Sequence, residues 1–232
     1  MEIIENEREL ESYFERHGAY INVKNLCLID EFLDHALEVD VDLVRGKNWS
    51  VVGGVIEHIE RAGVHSGDSM GVLPPQRLRP SVGKKIEELS LSLAEELNIR
   101  GFLNLQLAVK NDEIYMLEAN PRSSRSVPFM AKATKIPIVN LGVMGMLECD
   151  KEDVQPQKYK WRNLSKVCVK GVVFPFKKFI EADSILGPEM KSTGESMGRG
   201  LDYSEALMKA FVSSHHVLPK QGEVFLLSLI HI

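Results

Sequence analysis

A chain of 232 residues, 44% apolar and 26% charged, is long enough for one large core and ordinary in composition for a globular protein. Its net charge of -5 and its lack of any long Lys/Arg cluster exclude the basic footprint that a nucleic-acid partner would need. No apolar run reaches the ~18 residues of a transmembrane helix, so no membrane partner is expected, and the acidic opening MEIIENERELESYF lacks the order of a signal peptide. Cys27, Cys149 and Cys168 are odd in number and far apart, which reads as reduced thiols in a cytoplasmic protein.

The segment ENERELESYFERH has the spacing of a short amphipathic helix. LCLIDEFL reads as a strand. HALEVDVDLV alternates, with Leu37, Val39, Val41 and Leu43 on one face and Glu38, Asp40 and Asp42 on the other. Those carboxyl groups fit a solvated sheet face or a binding site. SVVGGVIEHI is a Gly-interrupted strand leading into the turn-rich RAGVHSGDSMGVLPPQRLRPS. Here Gly63 and Gly67 allow close backbone approach, and His65, Ser66, Asp68 and Ser69 supply polar ends, so the loop suits a phosphate or ribose as well as a plain hairpin. A helix is predicted over 82–97, with the stripe Ile86, Leu89, Leu93 and Leu97.

GFLNLQLAVKNDEIYMLEANPR reads as a hairpin with Asn111 and Asp112 at its tip. Asn104 and Gln106 share one face of its first strand, against Leu103, Leu105, Leu107 and Val109; Glu118 and Asn120 share one face of the second, against Tyr115, Leu117 and Ala119. A two-residue turn sets Gln106 opposite Leu117 and mixes the faces. A three-residue loop, Asn111 to Glu113, sets Gln106 opposite Glu118 and Asn104 opposite Asn120, and is preferred because it keeps the apolar sets together. The gathered carboxylate and amide oxygens suit a hard cation such as Mg2+, with Arg122 and Arg125 beside them for phosphate or carboxylate oxygens; a solvated rim fits the same residues.

Helices around SVPFMAKAT and PIVNLGVMGML, a strand at KVCVKGVVFPF, a helix at DYSEALMKAFVSS and a strand at GEVFLLSL complete the chain. The elements mix without a βαβ rhythm, and several strand pairs look antiparallel, which favours an α+β architecture. His17, His35, His215, His216 and His231 show no ligand spacing.

The stretches DEFLDHALEVDVD, GGVIEHIERAGVHSGDS, RGFLNLQLAVKNDEIYMLEANPRSSRSVPF, KATKIPIVNLG and GPEMKSTGESMG, in this order, resemble the large subunit of carbamoyl-phosphate synthase. The likeness runs from Met1 to about Leu226. AGVHSGDS and GPEMKSTGE resemble its second, carbamate-phosphorylating half. This implies an incomplete ATP-grasp fold, a mixed or antiparallel sheet flanked by helices, over 1–212. It also implies that 213–232 begin a methylglyoxal-synthase-like domain, with GEVFLLS as its first strand. The terminal SLIHI departs from the family.

By that resemblance, Glu31 and Leu33 offer backbone groups to adenine, Glu38 holds the ribose, and Gly63, Val64, His65 and Ser66 close against the nucleotide. Gln106 and Glu118 touch nucleotide and metal, Asn120 completes the metal set, and Arg122 and Arg125 are the catalytic arginines. The implied cofactors are ATP, Mg2+ or Mn2+, and a monovalent cation such as K+. The implied partners are a glutaminase small subunit, the rest of the large subunit, and carbamate as substrate. The lobe with the flexible phosphate loop and its lysine is expected to precede this sequence, so the chain alone is expected to be inactive and to bind ATP weakly. A non-catalytic module keeping the fold is the competing expectation. A different ATP-grasp ligase is a third, against which GPEMKSTGE counts.

Overall fold

The alternation that starts at Leu37 builds the strand on which everything else is arranged. In the computed structural model, which describes residues 3–18, 21, 24–176, 184–215 and 221, β1 (Leu37–Arg45) lies between β2 (Ser50–His58) and β4 (Gly101–Lys110). The short β3 (Gly71–Leu73) continues from β2, followed by β6 (Val167–Val173) and β7 (Gly194–Gly200), while β5 (Glu113–Asn120) forms the other edge. The seven strands run in the order β5-β4-β1-β2-β3-β6-β7, and every pair is antiparallel. This is an α+β architecture, as the sequence predicts.

Val39, Val41 and Leu43 of β1 join Leu103, Leu105 and Leu107 of β4 in one core cluster. Three helices, α2 (Pro80–Glu96), α3 (Val127–Thr134) and α4 (Ile138–Met146), add Ile86, Met130, Ile138 and Leu141 to it. The helix α1 (Glu7–His17) is capped by Asn6, whose side chain accepts from the Glu9 amide, and it buries no residue. A single turn, α5 (Lys151–Val154), precedes β6, and α6 (Tyr203–Ser213) packs on β6 and β7 through Ala206 and Ala210. No helix among the described residues is long and apolar enough to cross a membrane. All three cysteines are free.

Several expectations need correction. Residues 26–33 form no strand; Leu26, Leu28 and Ile29 stay exposed, without the paired neighbours that would have made that apolar run a core strand. The buried stripe of α2 is Val82, Ile86, Ser90 and Ala94, whereas Leu97, at the C-cap beyond the last turn, is 52% exposed. The strands β3 and β7 are not evident in the sequence. For β7 the reason is physical: its GESMGRG has no β-branched residue, and it is held by the helix above it. A Cβ on Gly198 would lie 2.0 Å from the Ala206 carbonyl oxygen, so glycine is what allows α6 to approach. The expected strand at GEVFLLSL lies outside the described residues.

The hairpin carries the most instructive difference. Its turn has two residues, not three, with Asn111 and Asp112 both left-handed (φ 52° and 64°), the geometry that matches strand twist. Lys110 pairs with Glu113, Val109 with Ile114, Ala108 with Tyr115 and Leu107 with Met116. The register then shifts, so that Gln106 pairs with Glu118 and Asn104 with Asn120. Leu117 is the extra residue of a β-bulge, 50% exposed on the sheet edge. The predicted polar pairs therefore form, but through a bulge rather than a longer loop, and the expected apolar set of β5 is not kept in the core.

Glu57 of β2 anchors the connection to α2. Its carboxylate, 1% exposed, accepts from the backbone amides of Gln76 (2.8 Å), Arg77 (2.7 Å) and Leu78 (3.1 Å) and from Arg77 Nε (2.8 Å). Removing that acceptor strands three amides. Glu57→Ala is expected to cost about 3 kcal/mol in urea unfolding; a loss below about 1 kcal/mol would show that the segment is held by something else.

Candidate active site

Antiparallel pairing turns the polar alternation of three strands into two cross-strand rows. Asp40 faces Gln106, which faces Glu118; Asp42 faces Asn104, which faces Asn120. Asp40 and Asp42 are only 4% and 2% exposed, so this is not a solvated sheet face. On the other side of β1, His58 of β2 is equally buried, with Nδ1 3.3 Å from Glu38 Oε2 and Nε2 3.1 Å from Asp40 Oδ2. Lys170 of β6 is fully buried; its Nζ donates to the Ser66 carbonyl (3.1 Å) and to Ser126 Oγ (3.2 Å) and lies 4.0 Å from Glu195.

Burial of so many ionisable groups is tolerable only where they neutralise one another. For His58, burial favours the neutral ring, but the Asp40 charge and the hydrogen bonding of the ring to Asp40 and Glu38 prevail and push it up to about 9. Asp40 feels the same contest: burial raises its carboxyl, yet the His58 charge and hydrogen bond hold it below its ordinary value. For Asp42 the opposing cation, Lys170, is the weakest of the influences. Burial pushes it up to about 7; hydrogen bonds from Ser124 and Asn104 oppose the rise, and the Asp40 charge adds to it.

Around this face the loops are tied by backbone donors. Glu38 Oε1 accepts from the Gly63 amide at 2.9 Å, and Gly63 has φ 94°, a conformation open to glycine. Its neighbour in space is the Phe32 ring, so residues 30–33 and the 63–66 loop lie together. Within 30–33 the Leu33 carbonyl accepts from the Ala36 amide (3.1 Å), and Glu31 is exposed. Val64 is half-buried; the His65 amide donates to the Gly187 carbonyl (2.8 Å), and His65 Nδ1 accepts from the Gly67 amide (3.0 Å). Ser66 Oγ accepts from Gln106 Nε2 (3.0 Å). Asp68, fully buried, accepts from the Lys191 and Ser192 amides, fastening the GPEMKSTGE segment to the same loop.

Glu118 is exposed, Gln106 and Asn120 are half-buried, and Asn120 Nδ2 is buried without a partner. Among the described residues, no group of three or more His, Cys, Asp or Glu side chains is arranged to hold a metal ion by itself. One carboxylate and two amides are an oxygen set fitting a cation that also takes phosphate oxygens and water. Arg122 and Arg125 are exposed on the loop after β5; Arg125 Nη1 donates to Ser192 Oγ at 3.3 Å. The geometry thus brings Glu38, the 63–66 loop, Gln106, Glu118 and Asn120 to one sheet face. The sequence reading missed His58 and Lys170 as members. Lys170 had a signal: a lone lysine inside the apolar run VCVKGVV, where only a paired charge can be buried.

Residues 1–144 match the family described as "Carbamoyl-phosphate synthase L chain, ATP binding domain". The chain is 45% identical over 226 residues to a carbamoyl phosphate synthase large chain of Methanosphaerula palustris, covering 97% of this chain and 21% of that protein. It is 42% identical over 228 residues to that of Myxococcus xanthus, with the same coverage. The chain therefore spans 21% of the length of these relatives. Among solved structures, it is similar to a biotin carboxylase–β,γ-ATP complex from Campylobacter jejuni (TM-score 0.70, 13% identity, 94% of this chain and 54% of that one). An ADP complex of the N5-carboxyaminoimidazole ribonucleotide synthetase purK gives a TM-score of 0.67 at 18% identity, over 92% of this chain and 56% of that one. The shared fold is ATP-grasp.

The His58 environment has a measurable consequence. Its folded-state pKa lies above the unfolded 6.5, so its stabilisation is complete below pH 6.5 and is lost as the pH rises through about 9. Unfolding free energy, measured by urea titration across pH 6 to 10, is expected to fall over that window in the parent and to stay flatter in His58→Gln. Equal slopes for the two proteins would remove the buried ion pair from the account.

Proposed function

The chain belongs to the carbamoyl-phosphate synthase L chain ATP-binding domain family, and from that premise we propose that it forms the metal–nucleotide wall of an ATP-dependent ligase that phosphorylates carbamate. The observation carrying this reading is the pair of cross-strand rows that sets Gln106, Glu118 and Asn120 beside Glu38 and the 63–66 loop.

In this reading Glu31 and Leu33 meet adenine through backbone groups, Glu38 receives the ribose, and Gly63, Val64, His65 and Ser66 cover the nucleotide. Gln106, Glu118 and Asn120 hold Mg2+ or Mn2+. When bound there, the cation supplies charge neutralisation for the phosphate oxygens. A carbamate oxygen attacks the γ-phosphorus in line; the new O–P bond forms as the bond to the β-phosphate oxygen breaks, and ADP leaves. No side-chain nucleophile is required, so the work of the protein is positioning. Arg122 and Arg125 orient the transferred phosphoryl group and the carbamate. The ammonia for that carbamate comes from a glutaminase small subunit, and the rest of the large subunit completes the enzyme. A monovalent cation such as K+ accompanies the nucleotide. Residues 1–212 form part of one ATP-grasp unit, and 213–232 begin the next domain.

The test is Glu118→Ala in the full-length large chain that carries this sequence. Carbamoyl-phosphate synthesis is expected to fall by about 100-fold or more, with the thermal midpoint little changed because Glu118 is exposed. Undiminished synthesis would instead mark this wall as a non-catalytic module.

A further inference from the structure

Asp42 is buried at the centre of the sheet, and the chemistry proposed above gives it no part. Both of its oxygens are nevertheless engaged. Oδ1 accepts from Asn104 Nδ2 at 3.2 Å, and Oδ2 accepts from Ser124 Oγ at 2.7 Å. Ser124 lies between Arg122 and Arg125. Its hydroxyl gives its one proton to Asp42 and accepts from the Ser126 amide at 3.1 Å, at the entry to α3.

The connection matters because it falls between the two arginines, whereas the tie from Lys170 Nζ to Ser126 Oγ (3.2 Å) lies after them. Arg122 Nη1 donates to the carbonyl of the adjacent Ser123 (3.3 Å), and Arg125 Nη1 donates to Met190 Sδ (2.7 Å) and Ser192 Oγ (3.3 Å). Ser124 is the residue by which this exposed loop is bonded to the central strand. The same strand carries Glu38, so one rigid element references both the nucleotide side and the arginine side. A short bond from a buried carboxyl to a loop hydroxyl fixes position where surface contacts leave it free.

We propose that Asp42 and Ser124 are paired positioning residues that set the Arg122–Arg125 loop for phosphoryl transfer. The proposal rests on the function proposed above. It extends that function to two side chains that touch neither nucleotide nor metal.

The test is the reverse of the proposed step, ATP formation from ADP and carbamoyl phosphate, in the full-length large chain carrying this sequence. Ser124→Ala is expected to lower kcat by about tenfold or more, since small misplacements of reacting groups cost that much. The KM for Mg-ADP should stay within about twofold, because adenine and ribose contacts come from other elements. Ser124→Thr, which keeps the hydroxyl, should restore kcat to within about twofold of the parent. Asp42→Ala should match Ser124→Ala, and the double variant should be no worse than either, as for partners in one bond. Should Asp42→Ala fail to fold, the Ser124 pair decides alone. Unchanged kcat in Ser124→Ala, with Arg125→Ala inactive, would overturn the positioning role and leave the function standing. Equal losses in Ser124→Ala and Ser124→Thr would also overturn it. Full activity in Arg125→Ala would overturn the underlying function and this proposal with it.

Discussion

Three carboxyl groups on one face of the central strand impose the condition that the rest of this structure meets. Glu38, Asp40 and Asp42 sit on β1 between β2 and β4, Asp40 and Asp42 buried and Glu38 half-buried. An uncompensated buried carboxylate is costly, so each must find a partner or change its protonation. Each solves the problem differently. Asp40 takes the His58 imidazolium, Glu38 shares that ring and accepts the Gly63 amide, and Asp42 accepts neutral donors and titrates near neutrality.

Acids on this sheet also act as fixed points for loops. Glu38 holds the turn at Gly63, Asp42 the loop at Ser124, Glu57 the backbone of 76–78, and Asp68 the backbone of 191–192. Loops of this kind are otherwise the most mobile parts of a fold. Here they are referenced to β-strands or to one another by charge-assisted bonds, which are shorter and stronger than neutral ones. Lys170 adds a cationic counterpart by joining the Ser66 carbonyl to the Ser126 hydroxyl, so the nucleotide-side loop and the entry to α3 share one anchor.

The bulge in β5 has a comparable role. A two-residue turn enforces a register that would place Leu117 opposite Gln106. One extra residue restores the pairing of Gln106 with Glu118 and of Asn104 with Asn120. The cost is an edge strand with Leu117 exposed, and the benefit is Glu118 and Asn120 aligned with β4 and β1. The polar pairing is thus obtained by a local break in the regular ladder, at the rim of the sheet.

By itself the sequence determined the antiparallel α+β character and the main strands and helices; it paired Gln106 with Glu118 and Asn104 with Asn120, but through a three-residue loop where the structure has a two-residue turn and a bulge. Alternation at period two dictates which residues share a face, and Asn-Asp marks the turn. Only the tertiary structure decided that the carboxylates of β1 are buried, because burial depends on what covers a face and not on the face itself. Only it brought His58 and Lys170 to them, across strands far apart in sequence, and only it made GESMGRG a strand, through the close approach of α6. The bulge was hidden for the same reason: the alternation of one strand gives its faces, whereas an inserted residue is visible only against its partner.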